Sequence, residues 1–230
     1  MAFYLETASP KEFSEINQYL SLEGVVVPAR GLLKEHAKVN DTIAAMLEFM
    51  SEHQKLFLPV ISAGFRAMFA EARKTAALSR QIVVMIPASN EGLMCLKACK
   101  TLNIPCVLTY ADSMLLAAFG HENHAKGLIM SYDKLEENCE PAKAICAACR
   151  KFAGTRVMTA GFSSLGQINK VLMETDADVV IPYELAGDLF YHWPGKAVLD
   201  ELRLDWINEY MRVELTGEDE EEENTSRQED

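Results

Sequence analysis

Eight short runs of apolar residues, rich in valine, isoleucine and leucine, recur along this chain of 230 residues. They are residues 2–5, 24–27, 56–61, 82–86, 105–109, 127–130, 156–159 and 178–181. Between them lie segments with apolar residues at three- and four-residue spacing, such as residues 43–50 and 165–173. This alternation predicts strands that alternate with helices. Because the strands are apolar on both faces, we expect a parallel sheet with both faces covered.

Eight strand–helix units in a chain of this length favour a closed barrel over an open doubly wound sheet. An open sheet of that kind usually has a glycine-rich phosphate turn after its first strand, but the sequence contains neither G-x-G-x-x-G nor a P-loop. A further segment with helical spacing, residues 195–212, carries apolar groups on more than one face. We therefore predict an α/β fold, a (β/α)8 TIM barrel with an additional C-terminal helix.

Composition and charge limit the possible domain organisation and the classes of partner that the chain could bind. We predict one barrel domain over residues 1–212 and an acidic, disordered tail over residues 213–230, because segment 217–230 has no apolar side chain. The net charge of -12 argues against nucleic acid and anionic membranes as partners. No apolar run approaches the roughly 18 residues of a membrane span, and no signal peptide is recognisable, which predicts a cytoplasmic protein.

The cysteines and histidines leave a metal site open as a minor alternative. Six cysteines without a secretory signal indicate reduced thiols. Cys146 and Cys149 have the spacing of a metal or redox pair, with Cys139 as a third ligand, but their alanine-rich segment favours two packing residues. His121 and His124 are interpreted as parts of a polar loop rather than a metal pair. We predict no metal and no cofactor.

Several short segments distributed along the chain carry a family resemblance. They are residues 3–7 (Phe-Tyr-Leu-Glu-Thr), 22–26 (Leu-Glu-Gly-Val-Val), 82–87 (Ile-Val-Val-Met-Ile-Pro) with 91–93, 103–105 with Thr109, Ile181 with Pro182, and Asp205 with Trp206. In these segments the chain resembles the small transaldolases and fructose-6-phosphate aldolases, over residues 1 to about 212. The carboxyl ends of barrel strands are also where such proteins place their function.

The resemblance implies an aldolase mechanism in which a lysine on the fourth strand forms a Schiff base with a ketose. Met85 occupies that position, and a thioether cannot form an imine. The aspartate that the family has on its first strand is Glu6 here, one methylene longer, whereas Thr109 matches the family's threonine. For the substrate and its phosphate, the resemblance implies the positions of Arg30, Ser131, Lys134, Gly161, Ser163 and Ser164, most of which also depart from the family's residues.

Three functional hypotheses follow. The first is a transaldolase-like barrel without Schiff-base activity that at most binds a sugar phosphate or related anion. The second is an active enzyme of carbohydrate metabolism with another mechanism, built on Glu6, Lys134, Tyr110 and Tyr132, with Glu184 and Asp112 as further candidates. The third is an aldolase that uses Lys134 as its amine. The resemblance also implies a homo-oligomer, a pentamer or a decamer, built on an exchanged C-terminal helix.

Overall fold

Eight parallel strands close into a barrel in the order β1 to β8, and β1 pairs with β8. This is a computed structural model, and it describes residues 1–34, 39–137, 139–191 and 194–210. The predicted (β/α)8 TIM barrel is therefore confirmed. The chain divides into two compact units, and the barrel lies in the first, Met1–Gly187.

One or two helices follow each strand. The strands are β1 (Phe3–Glu6), β2 (Gly24–Val26), β3 (Lys55–Pro59), β4 (Ile82–Pro87), β5 (Cys106–Thr109), β6 (Gly127–Ser131), β7 (Arg156–Ala160) and β8 (Asp178–Pro182). The helices are α1 (Pro10–Ile16), α2 (Ala29–Lys34), α3 (Val39–Phe49), α4 (Phe65–Ala76), α5 (Asn90–Thr101), α6 (Met114–Glu122), α7 (Tyr132–Glu136), α8 (Pro141–Lys151), α9 (Leu165–Glu174), α10 (Tyr183–Tyr191) and α11 (Pro194–Tyr210). The additional C-terminal helix is α11, in the second unit, Asp188–Asp230.

Alternate side chains of the strands build two apolar cores. The outer core, between strands and helices, includes Leu5, Phe13, Val84 and Leu108. The inner core fills the barrel and comprises Ala2, Tyr4, Val26, Phe57, Val83, Met85, Val107, Ile129, Met158 and Val180. Because both faces of each strand are buried in this way, the strands are continuous apolar runs in the sequence.

A polar network lies at the base of the barrel, the end formed by the amino ends of the strands. Nε of Arg156 is 2.7 Å from Oδ2 of Asp178, and Nη1 of Arg156 donates to the Tyr4 hydroxyl at 2.6 Å. The backbone N–H of Ala2 donates to Oδ1 of Asp178 at 2.6 Å. Burial raises the pKa of Tyr4 to about 12 and also raises the pKa of the Asp178 carboxyl. The network links β1 to β7 and β8 through side chains.

Some predicted boundaries need correction. The third apolar run predicts a strand that continues to residue 61, but β3 ends at Pro59. The apolar run outlasts the strand because Val60 is still buried and its N–H donates to the Met85 carbonyl at 3.0 Å. No helix in the described part of the chain is long and apolar enough to cross a membrane. The predicted acidic tail lies outside the described residues, and the single domain over residues 1–212 stays a prediction.

Candidate ligand site at the barrel mouth

The carboxyl ends of the eight strands and the loops that follow them form one end of the barrel, called the mouth below. Glu6 ends β1, Thr109 ends β5 and Ser131 ends β6, so three of the predicted site residues lie there. Gly161 directly follows β7, and Lys134 lies on the short helix after β6. The parallel sheet thus brings residues that are far apart in sequence to the same end of the molecule.

Met85 lies inside the barrel two residues before β4 ends. Its side chain is only 5% exposed and packs in the inner core. Its neighbours in register are Pro59 on β3 and Val107 on β5, both without a titratable group. A thioether in such surroundings acts as an apolar packing group.

Glu6 is a half-buried carboxyl group at the end of β1, where it pairs in register with Val26 and Pro182. Burial raises its pKa above the ordinary value of 4.5, and the charges of Glu184 and Asp133 raise it further. Within the described residues, no hydrogen bond or ion pair stabilises the ionised form of this carboxyl group. A carboxyl group with a raised pKa and no fixed partner is a candidate for exchanging protons with a ligand.

A cavity of about 260 Å³ adjoins Glu6. Its polar lining consists of Glu6, Thr7, Ser9, Glu12, Tyr183 and Glu184. The Thr7 hydroxyl donates to Oε2 of Glu12 and accepts from the Ser9 N–H at 3.0 Å, while the Tyr183 hydroxyl donates to Oε2 of Glu15 at 3.1 Å. Three carboxylates and three hydroxyl groups in so small a space offer many hydrogen bonds to a ligand with several hydroxyl groups.

Lys134 is exposed, and its ammonium group forms an ion pair with a glutamate close by in the sequence. Its Nζ is 2.6 Å from Oε1 of Glu137, three residues further on. The hydrogen bond to Glu137 raises the pKa of the Lys134 ammonium above its ordinary value of 10.5. A Schiff base requires the neutral amine, so this ion pair makes Lys134 a poorer nucleophile than a free lysine.

Gly161 has a backbone conformation that favours glycine, and it lies against the Asp133 side chain. Its φ of +75° lies in the left-handed region, and a Cβ built there would be 2.6 Å from Oδ1 of Asp133. Asp133 therefore lies against the end of β7, while its charge also acts on Glu6. The loops after β6 and β7 are in contact at this point.

Other predicted site residues serve local structure. The Ser164 hydroxyl caps α9 by accepting from the Gln167 N–H at 3.4 Å, and Oε1 of Gln167 accepts from the Ser163 N–H at 2.7 Å. The Thr109 hydroxyl donates to the Ile86 carbonyl at 3.3 Å. Arg30 is exposed on α2. The spacing Ser-x-x-Gln of Ser164 and Gln167 is typical of a helix cap and indicates this structural role from the sequence alone.

The structure places three further carboxylates near Glu6, namely Glu184, Asp133 and Glu12. The sequence indicates Glu184 as a site candidate, but no motif in it points to Asp133 or Glu12. The charge of Asp133 acts on Glu6 although the two residues are far apart in sequence, so closure of the barrel brings them together and no local pattern encodes this. The charges that the structure brings to Glu6 are thus negative ones.

No group of three histidine, cysteine or acidic side chains suited to a metal occurs among the residues that the structure describes. The His121 ring hydrogen-bonds through Nδ1 to the Thr155 hydroxyl at 2.8 Å and packs on Phe152. Sγ of Cys139 donates to the Leu135 carbonyl at 3.3 Å. Both side chains have structural partners of their own.

Comparison with known proteins supports a transaldolase-like sequence on a TIM barrel. The chain is 26% identical over 215 residues to a probable transaldolase of Roseobacter denitrificans, with 90% of this chain and 96% of the relative covered. It is 22% identical over 212 residues to a probable transaldolase of Geobacillus kaustophilus, with 90% and 98% covered. No protein-family model matches the chain. Thiamine phosphate pyrophosphorylase from Pyrococcus furiosus, 13% identical, shares the fold with a TM-score of 0.53 over 78% of this chain and 85% of its own.

Proposed function

We propose that this transaldolase-like barrel lacks Schiff-base aldolase activity and that its mouth at most binds a sugar, a sugar phosphate or a related small anion without cleaving it. The observation that carries the proposal is Met85, a buried thioether in the inner core at the position where the resemblance implies the reactive lysine. If imine formation supplied half of an enzyme's usual rate enhancement, about 8–23 kcal/mol in total, its loss would cost about 10³-fold or more.

Lys134 does not provide a replacement amine in this proposal. It lies on α7 rather than inside the barrel, and its ion pair with Glu137 favours the protonated form. Reactive lysines in Schiff-base enzymes are instead desolvated or placed beside other cations, which lowers their pKa. The environment of Lys134 has the opposite effect.

The negative charge at the mouth affects which ligands can bind there. Glu6, Glu184 and Asp133 place negative charge where a substrate would enter, so a phosphate group must overcome repulsion there. The phosphate positions that the resemblance implies, Arg30 and Lys134 among them, remain a proposal. We expect an uncharged sugar to bind at least as tightly as its phosphate.

Borohydride trapping tests the loss of the Schiff base. The protein is incubated with fructose 6-phosphate and sodium borohydride, and its intact mass is compared with that of a sample without borohydride. No added mass is expected, because borohydride fixes only an imine. A stable sugar adduct on any lysine would contradict the proposal, and peptide mapping would identify that lysine.

Thermal unfolding tests the binding. Fructose and fructose 6-phosphate are added separately in increasing excess, and the expected result is a saturable rise in Tm without conversion of the sugar. At 100 times its Kd a ligand stabilises the folded state by about 2.7 kcal/mol. Absence of any shift with both sugars would remove the binding part of the proposal and leave the trapping result unaffected.

A second candidate function is proton transfer by Glu6. The raised pKa of this carboxyl group, its half-buried position and the adjoining cavity of about 260 Å³ favour it. A general base of this kind would exchange a proton on the carbon beside a sugar carbonyl. Deuterium incorporation into fructose in D₂O, lost in Glu6→Gln and kept in Glu12→Gln, would support this function. Equal incorporation with both variants, or none with the unchanged protein, would count against it.

For assembly, we propose a homo-oligomer that uses α11. In the second unit this helix exposes large apolar side chains, namely Val198, Leu199, Leu202, Leu204, Trp206 and Ile207. Such a face is typical of a surface that a partner covers. Light scattering should give a mass of several subunits, pentamer or decamer by the resemblance, and a smaller mass for Leu199→Glu combined with Leu202→Glu. A monomeric unchanged protein would refute this assembly.

A further inference from the structure

A second cavity lies at the other end of the barrel from the mouth. It has a volume of about 540 Å³, within the usual range of small-molecule sites. It lies where α4 and α5 end and where β4 and β5 begin. This cavity, called the base groove below, shares no lining residue with the cavity beside Glu6.

The floor of the base groove is apolar. Its apolar lining consists of Ala76, Ala77, Ile82, Leu102, Ile104 and Pro105. Leu102 is 53% exposed although it is a large apolar residue, so part of this floor faces solvent. An aromatic or aliphatic group that covered it would remove apolar surface from water, which is favourable.

The polar lining of the base groove is basic. It includes Arg73 and Arg80, both exposed, together with the Ser79 hydroxyl and the Asn103 amide. Neither guanidinium forms an ion pair or a hydrogen bond with any residue that the structure describes. The base groove thus carries two unpaired cations although the chain as a whole has a net charge of -12.

The two arginines outweigh the unfavourable charge around them. The groove lies at the carboxyl ends of α4 and α5, and each helix end contributes about half a negative charge. Arg73 and Lys74, both in the last turn of α4, partly neutralise the negative end of that helix. Two full positive charges against about one negative charge leave a net attraction for an anion, and guanidinium groups bind phosphate and carboxylate in two-pronged geometry.

We propose that the base groove binds an organic anion of nucleotide size, with a phosphate or carboxylate held by Arg73 and Arg80 and an apolar body on the floor formed by Leu102, Ile104 and Pro105. The site is independent of the proposed function at the mouth. Anion and apolar body are both needed, because exposed arginines alone bind simple anions weakly in water.

Calorimetric titration of the full-length protein tests the proposal with adenosine 5′-monophosphate as the probe. Adenosine and inorganic phosphate serve as the matched probes that lack one half of the ligand each. We expect saturable binding of the monophosphate, at least about tenfold tighter than that of either matched probe, which corresponds to about 1.4 kcal/mol. No saturable binding of the monophosphate, or inorganic phosphate binding equally well, would overturn the proposal.

Two variants locate the site. Arg73→Gln combined with Arg80→Gln should weaken the monophosphate at least about tenfold, the order expected for losing charge-assisted hydrogen bonds. Lys74→Gln removes a positive charge from the same helix but does not line the groove, so it should change affinity less than about twofold. Unchanged binding by the double variant, or an equal loss in Lys74→Gln, would refute the assignment. Far-UV circular dichroism of each variant establishes that the fold is intact.

Discussion

Replacing Met85 by lysine would test whether water reaches the inner core of this barrel. Met85 is 5% exposed, and its neighbours in register are Pro59 and Val107. An ammonium group in such a place loses its hydration, so burial lowers the pKa of a lysine by up to about 3–5 units from its ordinary value of about 10.4. At neutral pH the folded variant would then hold a neutral amine, whereas the unfolded chain would hold an ammonium.

The magnitude follows from the two pKa values. Removing the proton at pH 7 from a group with an unfolded pKa of about 10.4 costs about 4–5 kcal/mol. Because the unfolded state binds the extra proton, stability must rise with pH, by about 1.4 kcal/mol per unit between the folded and the unfolded pKa. At pH 9 the cost should therefore fall to about 2 kcal/mol. Met85→Leu, a change of similar volume, should cost less than about 1.5 kcal/mol at both pH values.

Urea unfolding followed by far-UV circular dichroism measures both variants at pH 7 and pH 9. Tryptophan fluorescence is unsuitable, because both tryptophans of the chain, Trp193 and Trp206, come after the barrel unit. If Met85→Lys and Met85→Leu unfold at the same urea concentration at both pH values, water reaches position 85 and the apolar description is wrong. Even a folded Met85→Lys protein should show no appreciable aldol cleavage, because the register neighbours of position 85, Pro59 and Val107, carry no group that could transfer a proton at the new amine.

Two further predictions concern the mouth. The folded-state pKa of Glu6 is raised, so the stability associated with its protonated form is present below the ordinary pKa of 4.5 and is lost as pH rises through the folded value. Urea unfolding should therefore show Glu6→Gln more stable relative to the unchanged protein at pH 8 than at pH 4. The same difference in unfolding free energy at both pH values would refute this. Gly161→Ala and Gly154→Ala should each lose about 1–3 kcal/mol in urea unfolding, because both glycines have a left-handed backbone, at φ +75° and φ +84°. The carboxylate that an added Cβ at Gly161 would meet is the end of the exposed Asp133 side chain and can move aside, so unchanged stability in either variant would contradict the backbone argument.

The fold could be predicted from the sequence because closed parallel strands bury both faces. Each strand is then a compact apolar run, and counting eight such runs is enough to favour a barrel. The apolar run extends beyond β3 because Val60, although it follows the last strand residue, is still buried and still bonded to β4. Sequence hydrophobicity reports burial, and burial does not end where the strand ends.

The candidate site was predictable in position but not in charge. Strand counting places Glu6 and Thr109 at the carboxyl ends of β1 and β5. The contact between Asp133 and Gly161 and the charge of Asp133 at Glu6 depend on packing between loops, which the sequence does not encode locally. The Lys134–Glu137 pair, by contrast, could have been read from its three-residue helical spacing.

The pairing of the first strand with the last has a consequence for synthesis of the chain. The hydrogen bond from the Ala2 N–H to Asp178 joins positions 176 residues apart, and β1 lies beside β8 throughout. Until β8 has been synthesised, one edge of β1 has no neighbouring strand, and an unpaired strand edge can pair with other chains. Residues 3–6 therefore remain without their β8 neighbour until almost the whole barrel has been translated.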